Sequence, residues 1–114
     1  MRRSGAWAEK RALTFLLEKG FQCLEKNFYW KYGEIDLIMK DKNMIVFVEV
    51  RSLHHSSDIH PAETISASKI KKIKKTALYY LTLHYKTEHP VRFDVVFITG
   101  TPENFMAEHI KDAF

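Results

Sequence analysis

Two carboxylates and a guanidinium set the chemistry open to this chain. Asp36 lies within Gly33-Glu34-Ile35-Asp36-Leu37-Ile38-Met39, and Glu49 and Arg51 lie within Met44-Ile45-Val46-Phe47-Val48-Glu49-Val50-Arg51. Both runs are β-branched and apolar, and Asp41-Lys42-Asn43 between them is turn-forming, so they read as two strands of a hairpin. The second run is apolar on both faces until Glu49, the pattern of a central strand covered on both sides. A carboxylate there must be paired, hydrogen-bonded or bound to a cation, because a bare buried charge is too costly. Strand alternation puts Glu49 and Arg51 on one face and Val48 and Val50 on the other. A register that sets Asp36 opposite Glu49 brings their Cβ atoms to roughly 5 Å, where like charges repel unless something positive lies between them. Arg51 is one candidate. A hard divalent cation is the other, since Mg²⁺ commonly takes one or two carboxylates with water and phosphate oxygens. A slip of one residue would turn Asp36 to the opposite face.

Other groups invite chemistry less strongly. Lys69, Lys71, Lys72, Lys74 and Lys75 crowd the first half of a helix expected over residues 67–84. Cations at a helix N-terminus oppose its macrodipole, and like charges at i,i+3 and i,i+4 repel. A phosphate backbone would relieve both costs; a solvated helix face is the plainer reading. Asn27-Phe28-Tyr29-Trp30-Lys31-Tyr32 interleaves rings and cations, either to stack on the bases of a nucleic acid or to cap the core. His54, His55 and His60 with Asp58 match no standard zinc spacing and read as a loop. Cys23, with no histidine near it in sequence, reads as a small buried hydrophobe. Asp94, between Phe93 and Val95, is a partly buried carboxylate expected to pair with Arg92 or Arg51.

The elements that must position these groups follow in order. Residues 4–19 read as a helix capped by Ser4 and stopped by Gly20, with Trp7, Leu13, Leu16 and Leu17 as its apolar stripe and Glu9 along that stripe. Residues 21–29 form a strand with Phe21 and Cys23 inward. Pro61 and Ser66 announce the second helix, whose core stripe is expected to be Ile70, Ile73, Ala77, Leu78, Tyr80, Leu81 and His84. The strand at 91–99 is reached by a helical crossover and so should run parallel to 44–51 in a right-handed sense. Residues 105–114 supply a short edge strand or an amphipathic segment.

With 114 residues, the chain forms one domain, 1–114, and its 46% hydrophobic and 28% charged composition is that of a soluble globular protein. A net charge of +4 fits a polyanionic partner, and fits ribosomal neighbours or simple solubility as well. A single cysteine excludes an intramolecular disulfide and any multi-cysteine zinc site. No run approaches the ~18 apolar residues of a membrane span, and the expected location is the cytoplasm.

The motifs Gly33-Glu34-Ile35-Asp36-Leu37-Ile38 and Phe47-Val48-Glu49-Val50-Arg51 resemble the PD-(D/E)xK nucleases. With Gly5 to Ala12, Lys69 to Leu81, Arg92 to Val96 and His109 to Phe114, they look like the YraN-type family of uncharacterised bacterial proteins, related to archaeal Holliday-junction resolvases. The resemblance covers nearly the whole chain. It implies an α/β restriction-endonuclease-like fold, a central mixed β-sheet flanked by helices in the order α-β-β-β-α-β-β. It implies Asp36 and Glu49 as ligands of Mg²⁺ or Mn²⁺, Glu9 as a third acid, and Lys69 near the scissile phosphate. Lys69, Lys71, Lys72, Lys75 and Lys31 are the expected nucleic-acid contacts, DNA the expected partner, and a homodimer the assembly by kinship. One residue departs from the motif: Arg51 stands where lysine is usual, and arginine cannot act as a general base. The alternative is a non-catalytic binding module in which Asp36, Glu49 and Arg51 form a structural ion-pair network.

Overall fold

A computed structural model describes residues 6–53, 65–85 and 88–114. Helix α1 (Ala6–Glu18) precedes strands β1 (Gln22–Trp30), β2 (Gly33–Asp41) and β3 (Met44–Leu53). Helix α2 (Ala67–His84), β4 (Val91–Thr101) and β5 (Asn104–Ile110) complete the order α-β-β-β-α-β-β. The five strands form one sheet in the order β1-β2-β3-β4-β5. Only β3 and β4 run parallel, as the α2 crossover demands, while the other neighbours are antiparallel. The expected α/β architecture and element order are those observed.

Local chemistry sets the boundaries. Gly20 ends α1 with φ +96, a conformation that costs glycine little. The Ser66 hydroxyl accepts the Lys69 N–H at 3.1 Å and caps α2. The expected Ser4 cap, Pro61 and the His54–His60 loop lie outside the described residues.

The sheet is covered on both faces. Ala8, Ala12 and Leu16 of α1 pack on Leu37, Met39, Val46, Val48, Val50, Val96 and Ile98. Ile73, Ala77 and Tyr80 of α2 pack on Ile35, Ile38, Ile45 and Phe47. This sandwich explains the apolar run of β3, and burial pushes the Tyr80 phenol up to about 12, so it remains a neutral core ring.

Four expectations are corrected, the first in α1, where Leu17 is 45% exposed and Ala8, Ala12 and Leu16 carry the buried apolar stripe instead. Cys23 is exposed, because β1 is an edge strand whose register shifts between Cys23 and Glu25. Burial nonetheless is the largest influence on its thiol and raises its pKa, so it is no activated nucleophile. Leu78 is 64% exposed, and His84 is also exposed. The buried stripe of α2 runs instead through Ile73, Thr76, Ala77 and Tyr80, with Leu78 about 100° round from Ala77. Thr76 is accommodated by donating its hydroxyl to the Lys72 carbonyl at 2.9 Å.

Candidate functional site

The β2–β3 register sets Leu37 opposite Val48 and Asp41 opposite Met44. Continued one step, this is the register that brings Asp36 to Glu49. At that point β2 becomes irregular: Ile35 and Ile38 both join the α2-side cluster, although strict alternation would separate them. The neighbouring strand turns at the same level. Lys26 lines a cavity beside α1, Phe28 packs on the α2 side, and Asn27 between them takes a positive φ of 50. Asparagine tolerates that conformation better than most residues.

The irregularity aims the Asp36 side chain along the sheet. Asp36 is 2% exposed, and its Oδ2 accepts the Val50 backbone N–H at 2.8 Å. Glu49, on the α2 face, is 3% exposed and pairs with Lys69 Nζ at 2.9 Å. Arg51 approaches the same oxygen with Nε at 3.7 Å, a longer charge pair. Each carboxylate thus has its own donor, an amide of the strand for Asp36 and a lysine of the helix for Glu49, with Arg51 in support.

Glu9 arrives from the first turn of α1 and is buried. Its Oε1 accepts Asn27 Nδ2–H at 2.8 Å, and the same amide reaches Glu34 Oε2 at 3.3 Å. One asparagine thus ties an acid from α1 to an acid from β2. Sequence reasoning missed Asn27 and Glu34 as parts of this site. Asn27 is ordinary until its backbone turn is seen, whereas Glu34, two residues before Asp36, carried a legible signal.

Lys69, Lys72 and Tyr32 line a cavity of about 350 Å³ together with Glu34 and Ser66. A second groove of about 830 Å³ on the α1 side holds Glu9, Asn27, Lys10 and Lys26. The larger volume is the less informative one: its acid is already bonded to Asn27, and Glu49 and Lys69 belong to the other face. Lys72 flanks Gly33, where an added Cβ would lie 3.6 Å from the Lys72 Cβ. Lys75 Nζ sits 4.9 Å from the Tyr32 ring centroid and Lys31 Nζ 5.1 Å. Lys69, Lys72 and Lys75 thus form one row beside the β1–β2 turn. Lys71 is exposed but lies about 200° round the helix from Lys69, away from that row.

Hard oxygen donors suit Mg²⁺ or Mn²⁺. Among the described residues no group of three His, Cys, Asp or Glu side chains is placed to hold a metal ion. A metal here would rest on Asp36 and Glu49, with water and phosphate oxygens completing its shell.

Asp94 belongs to a different cluster. Alternation places it on the α1 face with Val96, fully buried. Arg92 donates to both its oxygens at 2.8 and 2.9 Å, the Asp112 amide donates at 3.0 Å, and His109 Nε2 lies 2.7 Å away. Lys19 Nζ donates to His109 Nδ1 at 2.9 Å, which leaves the ring proton on Nε2, facing Asp94. Burial alone would raise the Asp94 pKa, but the bonds from His109, Arg92 and Asp112 outweigh it and hold the carboxyl below its ordinary value. Of the two expected partners, Arg92 is the one it takes.

The sequence comparisons agree with one another. The model of the family described as uncharacterised protein family UPF0102 matches residues 8–98. A UPF0102 protein of Thermodesulfovibrio yellowstonii is 44% identical over 110 residues, spanning 96% of this chain and 94% of its own. A UPF0102 protein of Coxiella burnetii is 46% identical over 94 residues, covering 82% of this chain and 78% of its own. One from Clostridioides difficile is 39% identical over 113 residues, covering 99% and 97%. The match spans α1 through β4 and includes Glu9, Asn27, Asp36, Glu49 and Lys69, and this chain belongs to the UPF0102 family, the YraN-type family that its motifs resemble.

Proposed function

We propose that this protein is a metal-dependent DNA endonuclease of the restriction-endonuclease-like class, with branched DNA as its substrate and a homodimer as its working assembly. The observation that carries the reading is the pair between Lys69 Nζ and Glu49 Oε2 at 2.9 Å. Arg51 cannot release a proton at neutral pH. Lys69 puts an ammonium beside the motif carboxylate, from the helix instead of the strand. Asp36 and Glu49 would hold Mg²⁺, which when bound supplies an activated water and offsets charge on the attacked phosphate. Lys69 would orient that water and Arg51 clamp a phosphate oxygen. Glu9 and Glu34, fixed by Asn27, would hold the acidic end of the sheet in place. The exposed lysines of α2 grip the backbone and leave sequence largely unread, because phosphate contacts carry no base information.

A second reading has its own observation. Asp36 and Glu49 already have partners within the chain, as a purely structural ion-pair network requires, and the lysine row would then bind nucleic acid without chemistry. Calorimetric titration of Mg²⁺ and Mn²⁺ into the wild type, Asp36→Asn and Glu49→Gln, followed by assays on branched, flapped and linear DNA, separates the two. Metal binding lost in both variants, with metal-dependent cleavage, is the expected result. Salt-sensitive DNA binding without metal binding would replace the nuclease with the binding module.

A further inference from the structure

The turn between β1 and β2 is built unlike an ordinary hairpin tip. Tight hairpin turns favour Asn, Asp and Gly. Here Trp30-Lys31-Tyr32-Gly33 puts two large rings at the tip, closed by the Trp30–Gly33 pair. Trp30 lies flat on Tyr79 of α2, with centroids 4.2 Å apart and planes 5° apart. Tyr32 meets Trp30 edge-on at 4.8 Å. Core packing does not account for Tyr32, which is 43% exposed. Its ring is instead part of the wall of the cavity that also holds Lys69 and Lys72.

We infer that this tip is a stacking platform for an unpaired nucleobase, so that the substrate presents single-stranded nucleotides beside the site. This rests on the nucleic-acid reading above and narrows it. Aromatic rings interleaved with cations bind single strands because every base offers a π-face while the ammonium groups track the phosphates. A base inside an intact duplex has both faces covered and would first have to be unstacked. The cations are already in place. A base displacing Lys31 or Lys75 from the Tyr32 ring frees that ammonium for a phosphate, and Lys72 and Lys69 continue the track along α2 towards Glu49. The competing role for Tyr32 is a latch holding the tip to α2 through Lys75, which affects stability but not the choice between single and double strands.

Trp30 serves as the reporter. The chain has two tryptophans, so Trp7→Phe leaves Trp30 alone. That variant is titrated, metal-free and at fixed salt, with a single-stranded oligonucleotide and with a blunt duplex of equal length. The single strand should quench Trp30 and bind about tenfold more tightly, the scale of one stacked base. Added to this background, Tyr32→Leu, which keeps apolar bulk without a ring, and Tyr32→Ala should each abolish the preference, and Tyr32→Phe should keep it. Equal affinity for both strands, or a preference that survives Tyr32→Leu, overturns the platform. Salt-sensitive duplex binding without preference overturns it and leaves the nucleic-acid reading intact, whereas no binding of either overturns both.

Discussion

Two buried carboxylates on opposite faces of the sheet differ in how they are satisfied. Asp94 receives donors from Arg92, His109 and the Asp112 amide, and Arg92 is itself shared with Asp41 at 3.3 Å. Every one of those groups is held by β4, β5, the C-terminal turn or the β2–β3 hairpin, so the cluster fastens the far edge of the sheet. Glu49 is as deeply buried, but its nearest partner is the side chain of Lys69, which is 42% exposed and borders a cavity. A partner on a flexible, half-exposed stem can exchange for another cation or for a phosphate; a bidentate guanidinium locked on three sides cannot. Burial alone therefore does not mark a reactive carboxylate. What marks it is how replaceable its partner is.

The strongest way to break this comparison is to damage the locked cluster. Asp94→Asn removes the nearer counter-charge of Arg92, whose side chain is only 15% exposed, and leaves it the longer pair with Asp41 at 3.3 Å; breaking a buried pair from one side typically costs about 3–5 kcal/mol. Urea unfolding should register that loss equally with and without Mg²⁺. A loss below about 1 kcal/mol would show that Asp94 is as loosely held as a surface pair.

The same cluster predicts an acid limb. Its carboxyl is held below the ordinary value, so its stabilisation is complete above the ordinary aspartate pKa of about 3.9. It fades as pH falls from there through the folded value. Wild-type unfolding midpoints should drop more steeply below about pH 4 than those of Asp94→Asn. Parallel curves would remove Asp94 as the source.

Much of this was legible in the sequence, and the reasons are specific. Helix α2 was bounded at residues 67–84 because Ser66 is a strong cap. The hairpin followed from the polar turn at Asp41-Lys42-Asn43, but the turn left its register open by one residue, and the observed pairing of Leu37 with Val48 closes that choice. The parallel β3–β4 pair followed from the crossover rule. The misses share a different cause. Cys23 was placed inward by alternation, which the register shift beside it defeats. Leu78 was counted as core by hydrophobicity although helical spacing puts it round the corner from Ala77. At the site, residue types pointed to Asp36 and Glu49, but the Lys69 contact depends on where the first turn of α2 lands, and in the residues themselves only the cluster of five lysines hinted at it. Asn27 left no trace, since a positive φ is a property of the assembled strands.

On the other side of the comparison, Asp36→Asn keeps an amide oxygen that can still accept the Val50 N–H. It should cost about 1 kcal/mol without metal. Its larger effect should be on metal linkage, because a ligand at a hundredfold excess over its dissociation constant adds about 2.7 kcal/mol to the folded state. Thermal melts of wild type with Mg²⁺ should show that gain and Asp36→Asn should not. An equal gain in both would place the metal elsewhere.

Lys69→Met is the smallest change in stability and the sharpest test of replaceability. The ammonium is 42% exposed, so solvent screening limits the worth of its pair with Glu49 to below about 1 kcal/mol. Removing it does leave Glu49 with a longer contact to Arg51 at 3.7 Å, and this should make the site more receptive to a divalent cation. Calorimetry should therefore find Mg²⁺ binding retained or tightened in Lys69→Met, while cleavage of branched DNA falls by about a hundredfold, the lower range for losing one preorganised donor at the reacting centre. Weakened metal binding would mean that Lys69 supports the site instead of competing for it, and a destabilisation matching that of Asp94→Asn would make the Glu49 pair as locked as its counterpart across the sheet.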